Sequence, residues 1–308
     1  MAKFLHKLML FTIVSTMISA CGSSPAKQDI SNTATQDSKD YQVELKVLAV
    51  QSFLADIAQN IAGNRLKVDT LLPLEIDPHA FEPTTKDLAR VNESQVLIVN
   101  GAGLEEWLQE VLDNAGGNRL VIEASTGLAS SENTDPHFWL DPLNVITYVE
   151  NIRAGLSEAD PGGSQIYQEN ADSYISQLKD LDTWIQMQVA KIPPERRQLV
   201  TNHESFGYFA DRYGFTIVGT ILSSSSASAS PSAQELGALI DQIRSSGAGV
   251  IFLETGTNPQ LANQLSQETG IKVITDLYSH SLTAADGSAP DYISMMRHNV
   301  QTIVEALR

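Results

Sequence analysis

Short apolar runs bounded by turn residues recur from residue 43 onward, at 43–50, 66–72, 96–99 and 119–122, with helix-like segments between them at 53–62, 84–92 and 104–114. Strands and helices in alternation bury their apolar sides as a parallel sheet covered on both faces. A second series follows at 198–201, 216–221, 249–253 and 271–275, with helical patterns at 232–246, 258–269 and 291–307. In the last of these Ile293, Met296, Val300, Ile303 and Leu307 share one face, while His298 lies off it and is expected at the surface. Between the two series Tyr174, Leu178, Leu181, Ile185 and Val189 step by four, three, four and four. Glu169, Asp172, Lys179 and Asp182 fall off that stripe, and Pro193-Pro194 closes the pattern. About 27 residues at 1.5 Å each would span roughly 40 Å, the height of both series. The chain is therefore expected to be α/β. Two similar lobes with parallel sheets, residues 43–164 and 193–308, are joined by one long linker helix over 165–192. A rigid strut of this kind permits only small rocking. The serine-rich run 223–230 reads as a loop, and no internal sequence repeat is evident.

The first 20 residues read differently. Lys3 and Lys7 precede an apolar stretch over 8–18, which is too short for a spanning helix of about 20 residues and fits a secretory signal peptide. Small residues then lead into Cys21, the one cysteine of the chain, at a position resembling a lipobox, where its sulfur would carry lipid. Residues 21–42 are almost wholly polar and read as a disordered tether to that membrane. With the only cysteine so placed, disulfides and thiolate metal sites are excluded, and any metal must be held by His, Asp or Glu. Lys and Arg total 20 against 37 Asp and Glu, a formal charge of −17. That field repels nucleic acid and draws in cations.

Four histidines stand out: His79, His137, His203 and His280, spaced 58, 66 and 77 residues apart. Each lies in an irregular segment after a predicted strand, two in each lobe. In open α/β sheets ligands bind beyond the carboxyl ends of the strands, so the four imidazoles could converge between the lobes. Any one of them alone is more often a loop or capping residue than a ligand. Two share the context Asp-Pro-His, at Asp77-Pro78-His79 and Asp135-Pro136-His137, in which proline fixes the approach of the chain.

These segments, taken together and in order, resemble a known family. PHAFEPTTKDLARV, NGAGLEEWL, DPHFWLDP, HESFGYFADRYGF, PSAQELGALIDQIR, VIFLETGTNPQLANQLSQETG and LYSHSL run over most of residues 43–308. They are similar to the substrate-binding lipoproteins of bacterial ABC importers for zinc and manganese, the ZnuA/TroA/PsaA-like, metal-binding adhesin-like group. The resemblance implies two α/β lobes joined by one long helix, with a metal buried between them. It also implies a partner permease with its ATPase, and an extracytoplasmic, lipid-anchored location. Position by position it places metal ligands on His79, His137 and His203. The fourth ligand of the family is usually Asp, in a motif like LYSDSL, and here that position is His280. Zinc-type members often carry a His-rich loop before the second ligand, whereas residues 125–136 contain no histidine.

Neutral imidazole suits Zn²⁺, while Mn²⁺ prefers more oxygen ligands, so a four-histidine site points to zinc as the transported ligand and less to manganese. Four neutral ligands leave a dication uncompensated. Asp141, Glu204 and Glu254, each inside or beside a matched motif, are expected to offset the charge and orient the rings. The sequence has no HExxH, GxSxG or P-loop pattern, so an enzyme is not expected. A monomeric receptor that captures metal and hands it to an importer is the reading that follows. A manganese carrier of the same fold and an adhesin-type surface lipoprotein are its alternatives.

Overall fold

The computed structural model describes residues 44–128, 135–222, 231–255 and 257–308. The expected signal peptide, Cys21, the tether and the serine-rich run 223–230 lie outside the described residues. In the first lobe β1 (Val47–Ala49), β2 (Val68–Thr70), β3 (Val96–Val99) and β4 (Leu120–Glu123) form one sheet in the order β2-β1-β3-β4, every neighbouring pair parallel. The central strands β1 and β3 are buried along their whole length, which is why both read as unbroken apolar runs. Helices α1 (Ser52–Ala62), α2 (Thr85–Glu93) and α3 (Leu108–Ala115) connect them, and α4 (Pro142–Ala159) follows the last strand. The second lobe repeats the plan. After the long helix α5 (Ser164–Val189) come β5 (Gln198–Thr201), α6 (Gly207–Tyr213), β6 (Thr216–Thr220), α7 (Ala233–Ser246), β7 (Val250–Glu254), α8 (Gln260–Thr269) and β8 (Lys272–Leu277). Their parallel sheet has the order β6-β5-β7-β8, the same topology as the first. The lobes thus repeat in structure without repeating in sequence.

The linker is as the periodicity predicts. Helix α5 has 26 residues, about 39 Å. It buries Tyr167, Ala171, Tyr174, Leu178, Leu181, Ile185 and Val189 against α1, α4 and α9 (Tyr292–Leu307). Asp182 departs from its expected place on the solvent face. It is buried because α6 reaches over it: Arg212 donates to both its oxygens at 3.0 and 2.8 Å, and the Tyr213 hydroxyl donates at 3.0 Å. His298 also departs from expectation. Its side chain is only 19% exposed, held between Asp276 and the ring of Tyr278.

The lobes are not two separate bodies on a strut. One apolar core runs through both, from Phe53 and Ile98 across Tyr174 and Leu178 to Phe252 and Met296. Each lobe keeps a smaller core on the outer face of its sheet. Hydrogen bonds stitch the junction: Ser52 Oγ accepts from the amide of Leu282 at 2.9 Å, and Asp56 accepts from the amide of Tyr292 at 3.0 Å. Burial lifts the Asp56 carboxyl to about 6, opposed by the Tyr292 bond. Its folded pKa exceeds its unfolded value, so the charged form is disfavoured by folding, and stability falls as pH rises through about 6. Wild type is expected to gain about 1.3 kcal/mol relative to Asp56→Asn between pH 7 and pH 5, because one unit of that window lies below the folded pKa, measured by urea unfolding of both proteins. A constant difference would contradict the assignment.

Candidate metal centre

The four histidines follow β2, β4, β5 and β8, beyond the carboxyl ends of the strands. In both Asp-Pro-His segments the aspartate makes the turn. Asp77 Oδ1 accepts from the amide of His79 at 2.9 Å, and Asp135 Oδ1 from that of His137 at 3.0 Å. Proline sets the approach, as its place in the motif predicts, and the carboxylate two residues before the histidine closes it. His203 lies between β5 and α6, and His280 in the segment between β8 and α9.

These turns bring all four rings together, with ligand atoms within 4.8 Å of one another. His137 is the hub. Its Nε2 lies 3.3 Å from that of His79, 3.3 Å from that of His203 and 3.1 Å from that of His280. The three distances at His137 equal the edge of a tetrahedron whose centre would lie about 2 Å from each corner, the length of a Zn–N bond. His137 is fully buried, and the side chains of His203 and His280 are nearly so.

The outer nitrogens are held by other groups. Asp135 Oδ1 is 2.7 Å from His137 Nδ1. Glu254 serves two rings, with Oε1 3.0 Å from His203 Nδ1 and Oε2 3.4 Å from His280 Nδ1. Ser279 Oγ is 2.8 Å from the same His280 nitrogen. A proton on the Nδ1 of His137, His203 and His280 is thereby favoured, leaving the Nε2 lone pair of those three rings free for a metal. The two carboxylates together balance a dication.

Electrostatics separate the ligands. Burial, reinforced by the charge of His280, lowers His79 to about 4. Burial first, and then the neighbouring imidazoles, drives His137 well below its ordinary value. Both are neutral at pH 7 and need shed no proton. For His203 burial also opposes charge, yet Glu254 overcomes it and the ring is raised. Glu254 is correspondingly held well below the usual carboxylate range: its own burial pushes it up, and His203 outweighs that. Burial lifts Asp135 to about 6, so at neutral pH it is mostly ionised.

Of the three acids expected around the rings, only Glu254 touches one. Asp141 caps α4 instead, accepting from the amide of Leu143 at 2.9 Å. Glu204 is exposed, and among the described residues no hydrogen bond joins it to a ligand ring. Adjacency in sequence misleads here, because Glu204 is exposed while the ring of His203 beside it is buried. Asp135 is not among the acids the sequence points to, although the repeated Asp-Pro-His context carries the signal for it. Because each carboxylate oxygen of Glu254 faces one ring, Glu254→Gln turns an amide N–H toward one of them and removes the negative charge beside both. Metal affinity is expected to fall about 10–100-fold, read by competition with a chromophoric chelator.

The fold and the site define a two-lobed receptor for a divalent metal, with four imidazoles presented from both lobes to one point. The chain matches the family described as zinc-uptake complex component A, periplasmic, over residues 47–306, and it belongs to that family. It is 36% identical to the manganese-binding lipoprotein MntA of Halalkalibacterium halodurans, covering 85% of this chain and 88% of that protein. To the iron-binding protein YfeA of Yersinia pestis it is 32% identical over 98% of this chain and 96% of that one. The solved structure of the periplasmic zinc-binding protein TroA of Treponema pallidum superposes with a TM-score of 0.78 at 27% identity, covering 86% of this chain and 99% of that one. The protein is therefore a metal-binding substrate-binding protein of an ABC transporter and not an enzyme.

Proposed function

We propose that the protein captures Zn²⁺ on His79, His137, His203 and His280 and delivers it to the permease and ATPase of an importer. The relatives carry manganese, iron and zinc in their names, so kinship leaves the metal open. The observation that carries zinc is the donor set: four imidazole nitrogens with tetrahedral edges at His137, and no carboxylate oxygen among the ligand atoms. A hard cation that seeks six or more oxygens gains little there, whereas zinc takes four nitrogens readily. Nickel and copper also accept imidazole, so selectivity rests on the tetrahedral shape. The usual Asp of the family at the fourth position is His280 here, which moves the site further toward nitrogen. Relatives named as lipoproteins support a lipid anchor at Cys21 and an extracytoplasmic location.

The test is native mass spectrometry of the unlipidated chain after competition among equimolar Zn²⁺, Mn²⁺, Cu²⁺ and Ni²⁺. One zinc per chain, absent from a His79→Ala/His203→Ala double variant, is expected. One manganese instead would keep the receptor and overturn the zinc assignment. His280→Asp is expected to retain binding and to narrow the preference for zinc over manganese. Because His203 must give up its proton, zinc affinity is expected to fall as pH drops below the raised value of that ring. The loss is about tenfold per pH unit for each proton displaced, seen by calorimetry in buffers of different ionisation enthalpy.

A further inference from the structure

The segment between β3 and α3, residues 100–107, is the part of the sequence pattern for which the metal site itself gives no role. Helix α3 begins at Leu108, four residues later than the apolar pattern predicts, and the residues before it are held in turns. Gly101, Ala102 and Gly103 all have positive φ, at 81°, 52° and 82°. Alanine rarely adopts that backbone, and a side chain at Gly101 would strike Glu123. What holds the segment is Glu105. Its buried carboxylate accepts from the amide of Asn100 at 2.8 Å, the amide of Gly101 at 3.1 Å and Gln51 Nε2 at 2.6 Å. Gln51 lies two residues after β1 and Asn100 directly after β3, the two adjacent strands where the sheet order reverses. In this lobe the crevice that usually receives a ligand is filled by protein.

From this pinned segment two side chains reach out, one to each Asp-Pro-His turn. Asn100 Nδ2 donates to the carbonyl of Pro136 at 3.1 Å, and Trp107 Nε1 donates to the carbonyl of Pro78 at 3.0 Å. Each carbonyl belongs to the residue immediately before a metal-site histidine. Asn100 is itself oriented, because the Tyr148 hydroxyl donates to its Oδ1 and so turns Nδ2 toward Pro136. Trp107 packs edge-on against Phe81, just beyond the His79 turn, with ring centroids 4.9 Å apart.

We propose that residues 100–107 are the positioning element of the metal site: Asn100 sets His137, Trp107 sets His79, and Glu105 locks the two donors into one frame. The 3.3 Å separation of the two Nε2 atoms is then fixed before metal arrives, within one rigid lobe. Since His137 borders all three other ligands, a shift of its turn changes three edges of the tetrahedron together. Neither Asn100 nor Trp107 touches the metal; both act through the backbone of the ligand turns.

This inference rests on the assignment of His79 and His137 as ligands, and the test separates the two. Co²⁺ is loaded into wild type, Asn100→Asp, Trp107→Phe, Tyr148→Phe and His137→Ala, and the visible spectrum and Co²⁺ affinity are read alongside thermal unfolding. Asn100→Asp keeps the shape and the acceptor for Tyr148 but loses the donor to Pro136; Trp107→Phe keeps the ring and loses the donor to Pro78. Both are expected to weaken the intense tetrahedral bands and to lower Co²⁺ affinity about tenfold or more. Tyr148→Phe, which loses only a hydroxyl, is expected to fold like wild type with a smaller change in the same direction. It carries the test of Asn100 if the aspartate variant does not fold. Wild-type bands in the loaded Asn100 and Trp107 variants, with unchanged affinity, would overturn the positioning role even if both lost stability. Bands absent from wild type, or unchanged in His137→Ala, would instead overturn the ligand assignment beneath it.

Discussion

His137→Ala is expected to reduce zinc affinity by roughly 10²–10³-fold and to abolish most of the zinc-induced rise in melting temperature. The estimate follows from the free energy of four-ligand zinc sites, about 10–16 kcal/mol, of which one ligand supplies about a quarter. His137 is the severest of the four because of where it stands. It is completely buried, and its Nε2 lies within 3.3 Å of each of the other three. Alanine there removes a ligand and also frees Asp135, whose ring partner is lost. Water cannot easily restore the geometry, since the gap lies on the closed side of the site. His280 has a more exposed place, and its alanine variant is expected to lose less. A calorimetric titration of the variants with zinc measures both, and an affinity for His137→Ala within fivefold of wild type would show that the metal sits elsewhere.

Trp139→Ala is expected to cost about 3–5 kcal/mol of stability, measured by urea unfolding of the metal-free protein. Trp139 is the largest fully buried side chain and lies where the two lobes meet. Its ring stacks on Phe53 of α1 with centroids 4.5 Å apart and forms a wall behind His137 at 5.1 Å. Its Nε1 donates to the carbonyl of Ser279 at 2.6 Å, one residue before His280, and its own carbonyl accepts from the Tyr292 hydroxyl at 2.6 Å. Truncation therefore opens a cavity, orphans a buried carbonyl and loosens the turns of two ligands. Trp139→Phe keeps most of the packing and is expected to cost less than half as much. The zinc-induced stabilisation should also shrink in the alanine variant, because the fit between the lobes is part of the site. If Trp139→Ala unfolded with the wild-type midpoint, the single core spanning both lobes would be in error.

Asp182 is the buried carboxylate of α5, and periodicity does not predict its burial. A step of four, three and four residues marks one face of the helix, and that face is buried as predicted. The same rule puts Asp182 in solvent, because periodicity describes one helix and knows nothing of Arg212 and Tyr213 arriving from α6. The acids around the metal divide in the same way. Glu254 ends a buried strand inside a matched motif, which points to it near the rings. Proximity in sequence points to Asp141 and Glu204, whereas the local signal for Asp135 is the duplicated Asp-Pro-His pattern. That pattern binds the aspartate to the histidine amide within three residues, so it is legible from a single sequence.

Alternation of apolar runs and amphipathic segments was sufficient to determine the two sheets, the long helix and the order of the elements, since each depends on periodicity within a dozen or so residues. The position of the histidines just beyond strand ends, and their match to a family pattern, single out the four rings that the structure brings together. Tertiary structure alone decided that the lobes share one core, that His137 is the hub, and that Asn100 and Trp107 grip the two Asp-Pro-His turns. These facts join residues from 29 to 236 positions apart. Contacts over such separations depend on how whole elements pack in three dimensions, and no local propensity or spacing encodes them.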